Sequence, residues 1–551
     1  MIDEAAIIAQ LTSNPSCVVE DLAEWLPACR WAGLSDLQAP ADFTVAVDQG
    51  FGFTLPNTPR QYYLLIFGVT VVNPVEERKF CAVLAVEPTG EEPLDYPQAA
   101  VFEPVMAEHA WRFVLAPLVP SFFEGLMQAG TDQAIISLGE ATNLQIPLVT
   151  AMPADHVMAD DLKVLGGGDT TNVLVRATIT APDGSSRRIV FKSYLVLHEF
   201  NVEAEMVGRL HAAGFPHVPG LVGSLTMTQG EVTRTLMLAE DFVDNEGDGG
   251  KPFWDHLQQV LGDEVPPPIS DIAPLARIVG QTTREFHAAL VDPWEEAFQE
   301  ENTTPEDVAA WIHEFEDKYA SAADLSHQRL RQLFPTLPPM VLSQALGVLD
   351  GLIGAVRGSP LFELQSVPTK QRFHGDLHLA QFLFQGARDP PTFVITDLEG
   401  DPQVPPARRR DKKSVWFDLC GLLRALDYIA FFGTLEALKR VDPERGWGAE
   451  DVFLAFFATL VYCPLPPYLE DLRDTWSPLV QRARAWVTFV SEELLAGYGI
   501  QEMRPQDPPA AAFKLIRATS ELNYELRFRG QNALVPLLGV IVAGNDWVQN
   551  G

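Results

Sequence analysis

Two short segments of this chain carry carboxylate and amide side chains at a spacing that suits phosphoryl transfer. Residues 372–383 read Arg-Phe-His-Gly-Asp-Leu-His-Leu-Ala-Gln-Phe-Leu, and residues 395–400 read Ile-Thr-Asp-Leu-Glu-Gly. Phosphoryl transfer from ATP needs one carboxylate that receives or orients a substrate hydroxyl, and an amide and a second carboxylate that hold Mg²⁺. Asp376 and Gln381 have the same offset as the Asp and Asn of a kinase catalytic loop.

Asp397, in the second segment, stands where a metal-binding aspartate is expected to follow such a loop. A bare His-Gly-Asp triplet is weak by itself, whereas both segments in this order and at this spacing form a specific signal. We therefore predict that Asp376 acts on a substrate hydroxyl and that Gln381 and Asp397 bind Mg²⁺.

Composition excludes some partners but not this chemistry. The chain has 551 residues, enough for two or three domains, and its 47% hydrophobic and 21% charged content is that of an ordinary globular protein. Its 74 acidic residues outnumber its 39 basic residues, which gives a net charge of −35. Nucleic acid and anionic membranes require a basic face, so we expect neither as a partner. ATP remains compatible, because a local lysine and Mg²⁺ can offset the global field.

The cysteines and the apolar runs bear on the cellular compartment. The five cysteines are scattered and form no Cys-x-x-Cys pair, which favours a reduced cytoplasmic protein with buried thiols. We expect no signal peptide, because the N-terminal residues lack a basic flank and a long apolar run. We likewise expect no membrane span, and a monomer or weak oligomer.

Changes of pattern divide the chain into three predicted domains. Residues 1–145 form an accessory α+β cap, residues 146–245 a small nucleotide-binding lobe, and residues 246–551 a large helical lobe. The elements predicted for the cap are a helix over 4–31, strands at 62–72 and 80–86, and helices near 104–118 and 121–129.

A glycine-rich turn lies near the start of the small lobe. The sequence Gly-Gly-Gly-Asp-Thr-Thr-Asn at 166–172 connects two strand-like runs. It is not a P-loop, which needs a following helix and a Gly-Lys-Ser/Thr. Either it is a plain turn, or Gly167, Gly168 and Thr170 lie over nucleotide phosphates as in a kinase lobe.

Lys192 ends the strand-like run 188–192, and a helical pattern follows. A kinase lobe needs a cation for the α- and β-phosphates, held by a helix carboxylate. We predict the pair Lys192–Glu205, with Glu203 as the second choice. A solvated lysine at a strand end is the alternative.

The strand 233–243 leaves the small lobe, and the Gly- and Asp-rich residues 244–250 follow it. We expect a flexible hinge there. Backbone groups near Glu240 and Phe242 are the predicted adenine contacts.

The predicted helices of the large lobe cover 272–289, 307–333, 340–356, 415–432 and 513–528. His287, inside the first of them, is expected to be a structural histidine. Asp418 would be buried and would need hydrogen-bond partners, for which the backbone amides of the catalytic loop are candidates.

Residues for a second substrate are harder to assign. The basic cluster 406–413, which contains Asp411, is either an exposed loop or the border of an acceptor pocket. Glu521, Tyr524 and Glu525 share one helical face that suits a sugar or ordinary packing. The predicted substrate contacts are His378, Asp411, Asp418, Glu521, Tyr524 and Glu525.

Taken together, these segments resemble the maltokinase-like branch of the aminoglycoside-phosphotransferase kinase fold, which includes glucosamine kinases. They follow the family order over nearly the full length. The segments that carry the resemblance are 25–31, 201–210, 240–243, 374–381, 396–402, 418–428 and 524–529.

The resemblance implies an α+β, bilobal, protein-kinase-like fold with an N-terminal cap domain. It implies ATP and Mg²⁺ as cofactors and phosphorylation of a saccharide hydroxyl. In this family pattern Asp376 would be the catalytic base, and Glu399 would complete the metal site of Gln381 and Asp397. Lys192 with Glu205 would hold the phosphates.

Departures from the family pattern concentrate around the acceptor. Ser520 stands where an aromatic residue is usual, and Phe417 stands where an arginine is usual. Maltose, a monosaccharide and an amino sugar such as glucosamine therefore remain open as acceptors. The alternatives are a kinase of another small acceptor, such as an aminoglycoside or amino alcohol, and a nucleotide-binding protein without turnover.

Overall fold

The computed structural model describes residues 4–29, 34, 39–72, 75–88, 111–139, 141–149, 157–166, 172–262, 265–357, 367–461, 465–501, 503–507 and 509–550. The chain divides into two compact units. The first comprises Met1–His211 with Pro219–Val243, and the second comprises Ala212–Val218 with Asp244–Gly551.

The first unit is built mainly from antiparallel strands. Its helices are α1 (Glu4–Ser13), α2 (Val19–Trp25), α3 (Pro120–Thr131) and α4 (Val202–Ala212). Its strands are β1 (Phe43–Thr54), β2 (Gln61–Val72), β3 (Val75–Pro88), β4 (Trp111–Leu115), β5 (Ile135–Ser137), β6 (Thr142–Gln145), β7 (Met158–Val164), β8 (Val173–Thr180), β9 (Ser186–Ser193), β10 (Leu221–Gln229) and β11 (Val232–Asp241).

These strands form two sheets, one of order β1-β2-β3-β4 and one of order β5-β6-β10-β11-β9-β8-β7. The sheets are joined through the segment after β9, where the Cys81 amide donates to the Leu195 carbonyl at 2.8 Å and the Leu197 amide to the Lys79 carbonyl at 2.8 Å. Apolar side chains of both sheets share one core. Because β5 and β6 pair in the seven-stranded sheet, the predicted boundary at residue 145 falls inside it. The division into three domains stays a prediction.

One predicted helix of the cap is wrong. Residues 111–115, placed in a helix over 104–118, form β4 and pair with β3, for example Val114 with Ala85. The pairing with a neighbouring strand overrides the local pattern. Residues 104–110 lie outside the described part of the chain.

The second unit is mainly helical, as the pattern after the prolines at 266–268 predicts. Its helices are α5 (Lys251–Gly262), α6 (Ala273–Leu290), α7 (Pro305–Leu333), α8 (Pro339–Arg357), α9 (Trp416–Val441), α10 (Ala449–Ala458), α11 (Pro467–Glu470), α12 (Arg473–Tyr498), α13 (Ala510–Phe528) and α14 (Leu534–Asn550). Its strands are β12 (Glu301–Asn302), β13 (Thr369–Lys370), β14 (Phe382–Gln385) and β15 (Thr392–Ile395). Within the described ranges, no helix has the length and apolar character that crossing a membrane requires.

Helices α6 and α12 approach each other closely through glycines. A Cβ on Gly280 would lie 2.0 Å from the Leu494 carbonyl oxygen, and one on Gly497 would lie 2.3 Å from the Arg277 carbonyl oxygen. Larger residues would separate the two helices. The close packing brings His287 of α6 to Tyr498 of α12, with 2.9 Å between the imidazole Nδ1 and the phenol oxygen.

Within the segment 244–250, predicted to be a flexible hinge, residues 246–249 pair along β14. The amides of Glu246 and Gly249 donate to the carbonyls of Phe384 and Phe382 at 2.9 and 2.8 Å, and the Phe384 amide donates to the Gly247 carbonyl at 2.9 Å. The boundary between the two compact units falls at Val243 and Asp244, at the start of this segment, and its role as a flexible hinge stays a prediction.

Candidate active site

The two chemistry-bearing segments of the second unit meet at the open end of a hairpin. Gln381 immediately precedes β14 and Asp397 closely follows β15, and these strands pair from Phe382 with Ile395. The Gln381 side-chain Nε2 donates to Asp397 Oδ2 at 3.1 Å. The Thr396 amide donates to the Gln381 carbonyl at 2.9 Å. The expected meeting of the amide and the second carboxylate is thus present.

The donor set at this hairpin fits Mg²⁺. Gln381, Asp397 and Glu399 offer amide and carboxylate oxygens, which are the hard ligands that Mg²⁺ prefers. Because the Gln381 nitrogen is directed to Asp397, its amide oxygen is the atom left for a metal. Asp397 has φ +62°, a left-handed conformation that is uncommon outside glycine and is found at functional sites.

Asp376 is held by an arginine from a distant helix. Arg517 of α13 donates from Nη2 to Asp376 Oδ1 at 2.7 Å, and from Nε to Glu521 Oε1 at 3.1 Å. Burial lowers the pKa of Arg517, but the charges of Asp376, Glu521 and Asp401 outweigh burial and raise this pKa above its ordinary value. Arg517 is therefore a cation at any physiological pH.

His378, predicted as a substrate contact, lies beside the catalytic aspartate. Burial lowers the pKa of His378, against the opposing influence of the Asp376 charge, so the ring is neutral near pH 7. Its Nε2 lies 3.5 Å from the Gln381 Nε2. His378 thus lies beside the Gln381 amide, and a substrate contact by His378 stays a prediction.

Asp418 was predicted to contact substrate, and that assignment is wrong. Its side chain is 0% exposed, its Oδ2 accepts the His374 amide at 2.7 Å, and its Oδ1 accepts the Gly375 amide at 2.9 Å. Burial opposes ionisation of Asp418, but hydrogen bonds from His287 and the loop lower its pKa below the usual value. Asp418 is the anchor of the catalytic-loop backbone, as its expected burial and need for partners had indicated.

His287 completes this anchor as a structural residue. Its Nε2 lies 3.0 Å from Asp418 Oδ2 and its Nδ1 lies 2.9 Å from the Tyr498 hydroxyl. The expectation of a satisfied structural histidine is confirmed. His374 ties the two loops together, since its Nε2 lies 3.0 Å from the Thr396 carbonyl oxygen.

Glycines allow the loops to pack backbone to backbone. Gly375 has φ +89°, and a Cβ there would lie 3.2 Å from the Gly400 Cα. A Cβ on Gly421 of α9 would lie 2.1 Å from the Leu377 carbonyl oxygen. Any side chain at Gly421 would therefore push the catalytic loop away from α9.

In the first unit, the lysine–glutamate pair involves a different glutamate from the one predicted. Lys192 Nζ lies 2.8 Å from Glu203 Oε2, and Tyr194 donates its hydroxyl to the same oxygen at 2.5 Å. Residues two apart on a helix face different sides. Glu203 belongs to the buried face of α4 with Met206, whereas Glu205 does not, so the predicted pair Lys192–Glu205 is wrong.

Five further residues of the first unit were predicted to contact the nucleotide. Gly167, Gly168 and Thr170 lie outside the described residues. Glu240 pairs within β11, opposite Leu221 and Val190. The Phe242 ring lies under the guanidinium groups of Arg176 and Arg188, at 5.5 and 5.0 Å from its centroid. These two adenine contacts stay predictions.

A cavity with an empty volume of about 810 Å³, partly open to solvent, adjoins the catalytic loop within the second unit. Its walls include the aromatic rings of Trp311, Phe373 and Phe513 and the acidic side chains of Glu314 and Asp411. Its described charged lining is mixed, with five cationic side chains, namely Lys318, Arg408, Arg409, Lys413 and Arg517, and three acidic ones, namely Glu314, Asp401 and Asp411. Asp411 thus lies where an acceptor could bind.

The three α13 residues predicted to bind a sugar are not among the residues that line this cavity. Glu521 is bonded to Arg517 and Arg424, and Tyr524 packs against the Phe528 ring at 5.0 Å between centroids. Burial raises the pKa of Glu525. A substrate contact by Glu521, Tyr524 or Glu525 stays a prediction.

Sequence reasoning missed Arg517, which both lines the cavity and binds Asp376. A local signal existed, because Arg517 precedes Glu521 by one helical turn and shares its face. That signal could not reveal the contact with Asp376, which lies 141 residues earlier.

The helices, the strands and the two paired loops described above are those of a kinase-like phosphotransferase fold. A solved glucosamine kinase in complex with glucosamine, ADP and inorganic phosphate superimposes with a TM-score of 0.52, over 96% of this chain and 98% of that chain, at 15% identity. A second solved structure, glucosamine kinase in crystal form A, gives a TM-score of 0.51 over 94% of this chain and 96% of that chain, at 16% identity.

A sequence relative agrees with this fold. A glucosamine kinase of Streptacidiphilus jiangxiensis is 24% identical over 298 residues, which are 52% of this chain and 61% of the relative. The match thus spans less than two thirds of the relative's own length. No family description matches the chain. These likenesses confirm the predicted α+β kinase-like fold and the resemblance to this group of phosphotransferases.

Proposed function

We propose that this protein is an ATP-dependent kinase that phosphorylates a hydroxyl group of a saccharide. The observation that carries the proposal is the contact of Gln381 with Asp397. The loop that carries Asp376 and Gln381 is held by Asp418, and His374 ties it to the loop of Asp397. The likeness to glucosamine kinases supports the same reading.

The chain's residues suit direct transfer of the γ-phosphoryl group. Asp376 would accept the proton of the acceptor hydroxyl as its oxygen forms a bond to the γ-phosphorus, while the bond to the ADP oxygen breaks. Gln381, Asp397 and Glu399 would hold Mg²⁺, which neutralises developing phosphate charge. Lys192, held by Glu203, would bind the α- and β-phosphates.

The cavity beside the catalytic loop is the proposed acceptor site. Aromatic faces such as Trp311 suit the apolar face of a sugar ring, and Glu314 and Asp411 suit its hydroxyl or amino groups. The mixed charge of the lining leaves glucosamine, another monosaccharide and maltose open. A small acceptor of another class, such as an aminoglycoside or amino alcohol, would use the same catalytic residues.

A cytoplasmic location is also proposed. Cys29, Cys81 and Cys420 are buried thiols and Cys17 is half-buried, and these four described cysteines are unpaired. This is the state expected in a reducing compartment. A monomeric or weakly oligomeric protein that binds neither nucleic acid nor membrane completes the proposal.

The test is mass spectrometry of a sugar panel incubated with the full chain, ATP and Mg²⁺. We expect a mass increase of one phosphoryl group on at least one sugar, and a loss of about 10²–10⁴-fold in rate for Asp376→Asn. An aminoglycoside and an amino-alcohol arm separate the other acceptor classes. Stabilisation by nucleotide with no phosphorylated product in any arm would instead establish a binding protein without turnover.

A further inference from the structure

A chain of alternating charges runs from the catalytic aspartate into the core between α9 and α13. Asp376 is bonded to Arg517 at 2.7 Å, and Arg517 to Glu521 at 3.1 Å. Arg424 of α9 then donates from Nε to Glu521 Oε2 at 3.0 Å. Each of the inner members, Arg517 and Glu521, contacts an opposite charge on both sides.

The inner end of this chain is fixed by further charges. Arg424 donates from Nη1 to Asp427 Oδ2 at 2.8 Å, and Lys514 Nζ lies 3.4 Å from the same oxygen. Arg424 is 1% exposed, so each of its contacts is made in a low-dielectric region where an unpaired charge is costly. The side chains of the network therefore have few alternative conformations.

Helix α9 thus supports Asp376 in two independent ways. Its first turn carries Asp418, which holds the backbone amides of the loop. Its third turn carries Arg424, which acts through Glu521 and Arg517 on the Asp376 side chain. Arg517 occupies Oδ1, which leaves Oδ2 as the oxygen that can receive the hydroxyl proton.

We propose that Arg517 and Glu521 are positioning residues for the catalytic carboxylate, with Glu521 acting only through Arg517. This inference rests on the proposed kinase function and assigns Glu521 a role other than the predicted sugar contact. A carboxylate released from Arg517 would sample other rotamers, and a misplacement of about 1 Å can cost about 10²-fold in rate.

The test is a double-mutant cycle on the full chain, using the acceptor that the wild-type chain phosphorylates. We expect Arg517→Met to lower kcat by about 10²-fold with the KM for ATP nearly unchanged. Arg517→Lys should recover part of kcat, because it retains the charge. Glu521→Gln should lower kcat less, and should add nothing in the Arg517→Met background.

Arg527→Met is the matched control, since Arg527 lies on the same helix and contacts Asn523 and Ser321 instead. Its kcat should equal that of the wild type. A raised acceptor KM in Glu521→Gln, or additive losses in the double variant, would overturn the inference and leave the proposed function intact. Absence of any product with the wild-type chain would overturn both. Thermal unfolding of each variant separates lost positioning from lost folding.

Discussion

The imidazole Nε2 of His287 lies 3.0 Å from the Asp418 carboxylate, in a buried position beneath the catalytic loop. The same carboxylate accepts the backbone amides of His374 and Gly375. Three donors from two elements therefore converge on one buried anion. The position of Asp376, next in sequence to Gly375, depends on that anion.

Replacing Asp418 by alanine should destabilise the second unit and disable the site together. The amides of His374 and Gly375 would lose their acceptor, at a cost of about 1–3 kcal/mol for each one that stays shielded from water. Urea unfolding followed by tryptophan fluorescence measures the loss. Asp255→Ala is the control, because Asp255 forms an exposed pair with Lys251 and should change stability by less than about 0.5 kcal/mol. Equal midpoints for the two variants would contradict the anchoring role.

The stabilisation by Asp418 should also depend on pH. Its pKa in the folded chain is lowered, with burial opposed by the His287 and loop hydrogen bonds. The contribution is therefore complete above about pH 4, near the ordinary aspartate pKa, and is lost as the pH falls through the lower folded value. The stability difference between wild type and Asp418→Asn should shrink below about pH 4 and stay constant between pH 5 and 7. A difference that grows on acidification would reverse the assignment.

Two glycines on helices make a matched steric test. Gly421→Ala would place a Cβ 2.1 Å from the Leu377 carbonyl oxygen, whereas Gly347→Ala would meet nothing within 4 Å. We expect Gly421→Ala to cost about 1–3 kcal/mol and to lower kcat by displacing the loop. Gly347→Ala should stabilise α8 by up to about 1 kcal/mol. Thermal unfolding and initial rates distinguish these outcomes, and full activity in Gly421→Ala would show that the loop tolerates the displacement.

The choice between the two glutamates of α4 can be tested by nucleotide binding. Glu203→Gln removes the charge that holds Lys192, while Glu205→Gln leaves the pair intact. We expect the first variant to lose most of the thermal stabilisation that ATP and Mg²⁺ confer, and the second to retain it. Titration calorimetry checks the same order of affinities. A larger loss for Glu205→Gln would restore the sequence-based pair.

Asp397→Asn tests metal binding without a change of backbone conformation. Asparagine tolerates the left-handed conformation that Asp397 adopts at φ +62°, so only the charge and one oxygen ligand are lost. Removal of a residue that only supports a metal ligand typically costs about 10–100-fold in metal affinity. The Mg²⁺ concentration for half-maximal activity should therefore rise by about 10-fold or more when Asp397 itself is replaced. Asn245→Ala, in the segment beside β14, is a control that should leave the Mg²⁺ dependence unchanged. An unchanged Mg²⁺ requirement in Asp397→Asn would remove Asp397 from the metal site.

Sequence reasoning succeeded where the chemistry is local. The contact of Gln381 with Asp397 follows from one hairpin, whose paired ends lie next to both residues. The same applies to the buried partners of Asp418, since a charge on an apolar helix face needs donors. These inferences needed only residues that are close in sequence and the rule that a buried polar group has hydrogen-bond partners.

Sequence reasoning failed where the position of a residue depends on contacts between segments that are distant in sequence. The strand β4 exists because β3 offers it a partner, and Arg517 reaches Asp376 across 141 residues. Glu205 was preferred over Glu203 although the helical stripe of Met206 and Leu210 includes Glu203. That error was avoidable, because the periodicity already distinguished the two faces.

The pairing of residues 244–250 with β14 has a consequence for chain length. Glycine- and acid-rich stretches usually tolerate insertions, but here residues 246–249 pair with a strand that begins one position after Gln381. An added residue would slip the pairing and turn successive side chains to the opposite face. The number of residues in this short stretch is therefore set by the hairpin that places Gln381 beside Asp397, although the stretch supplies neither side chain.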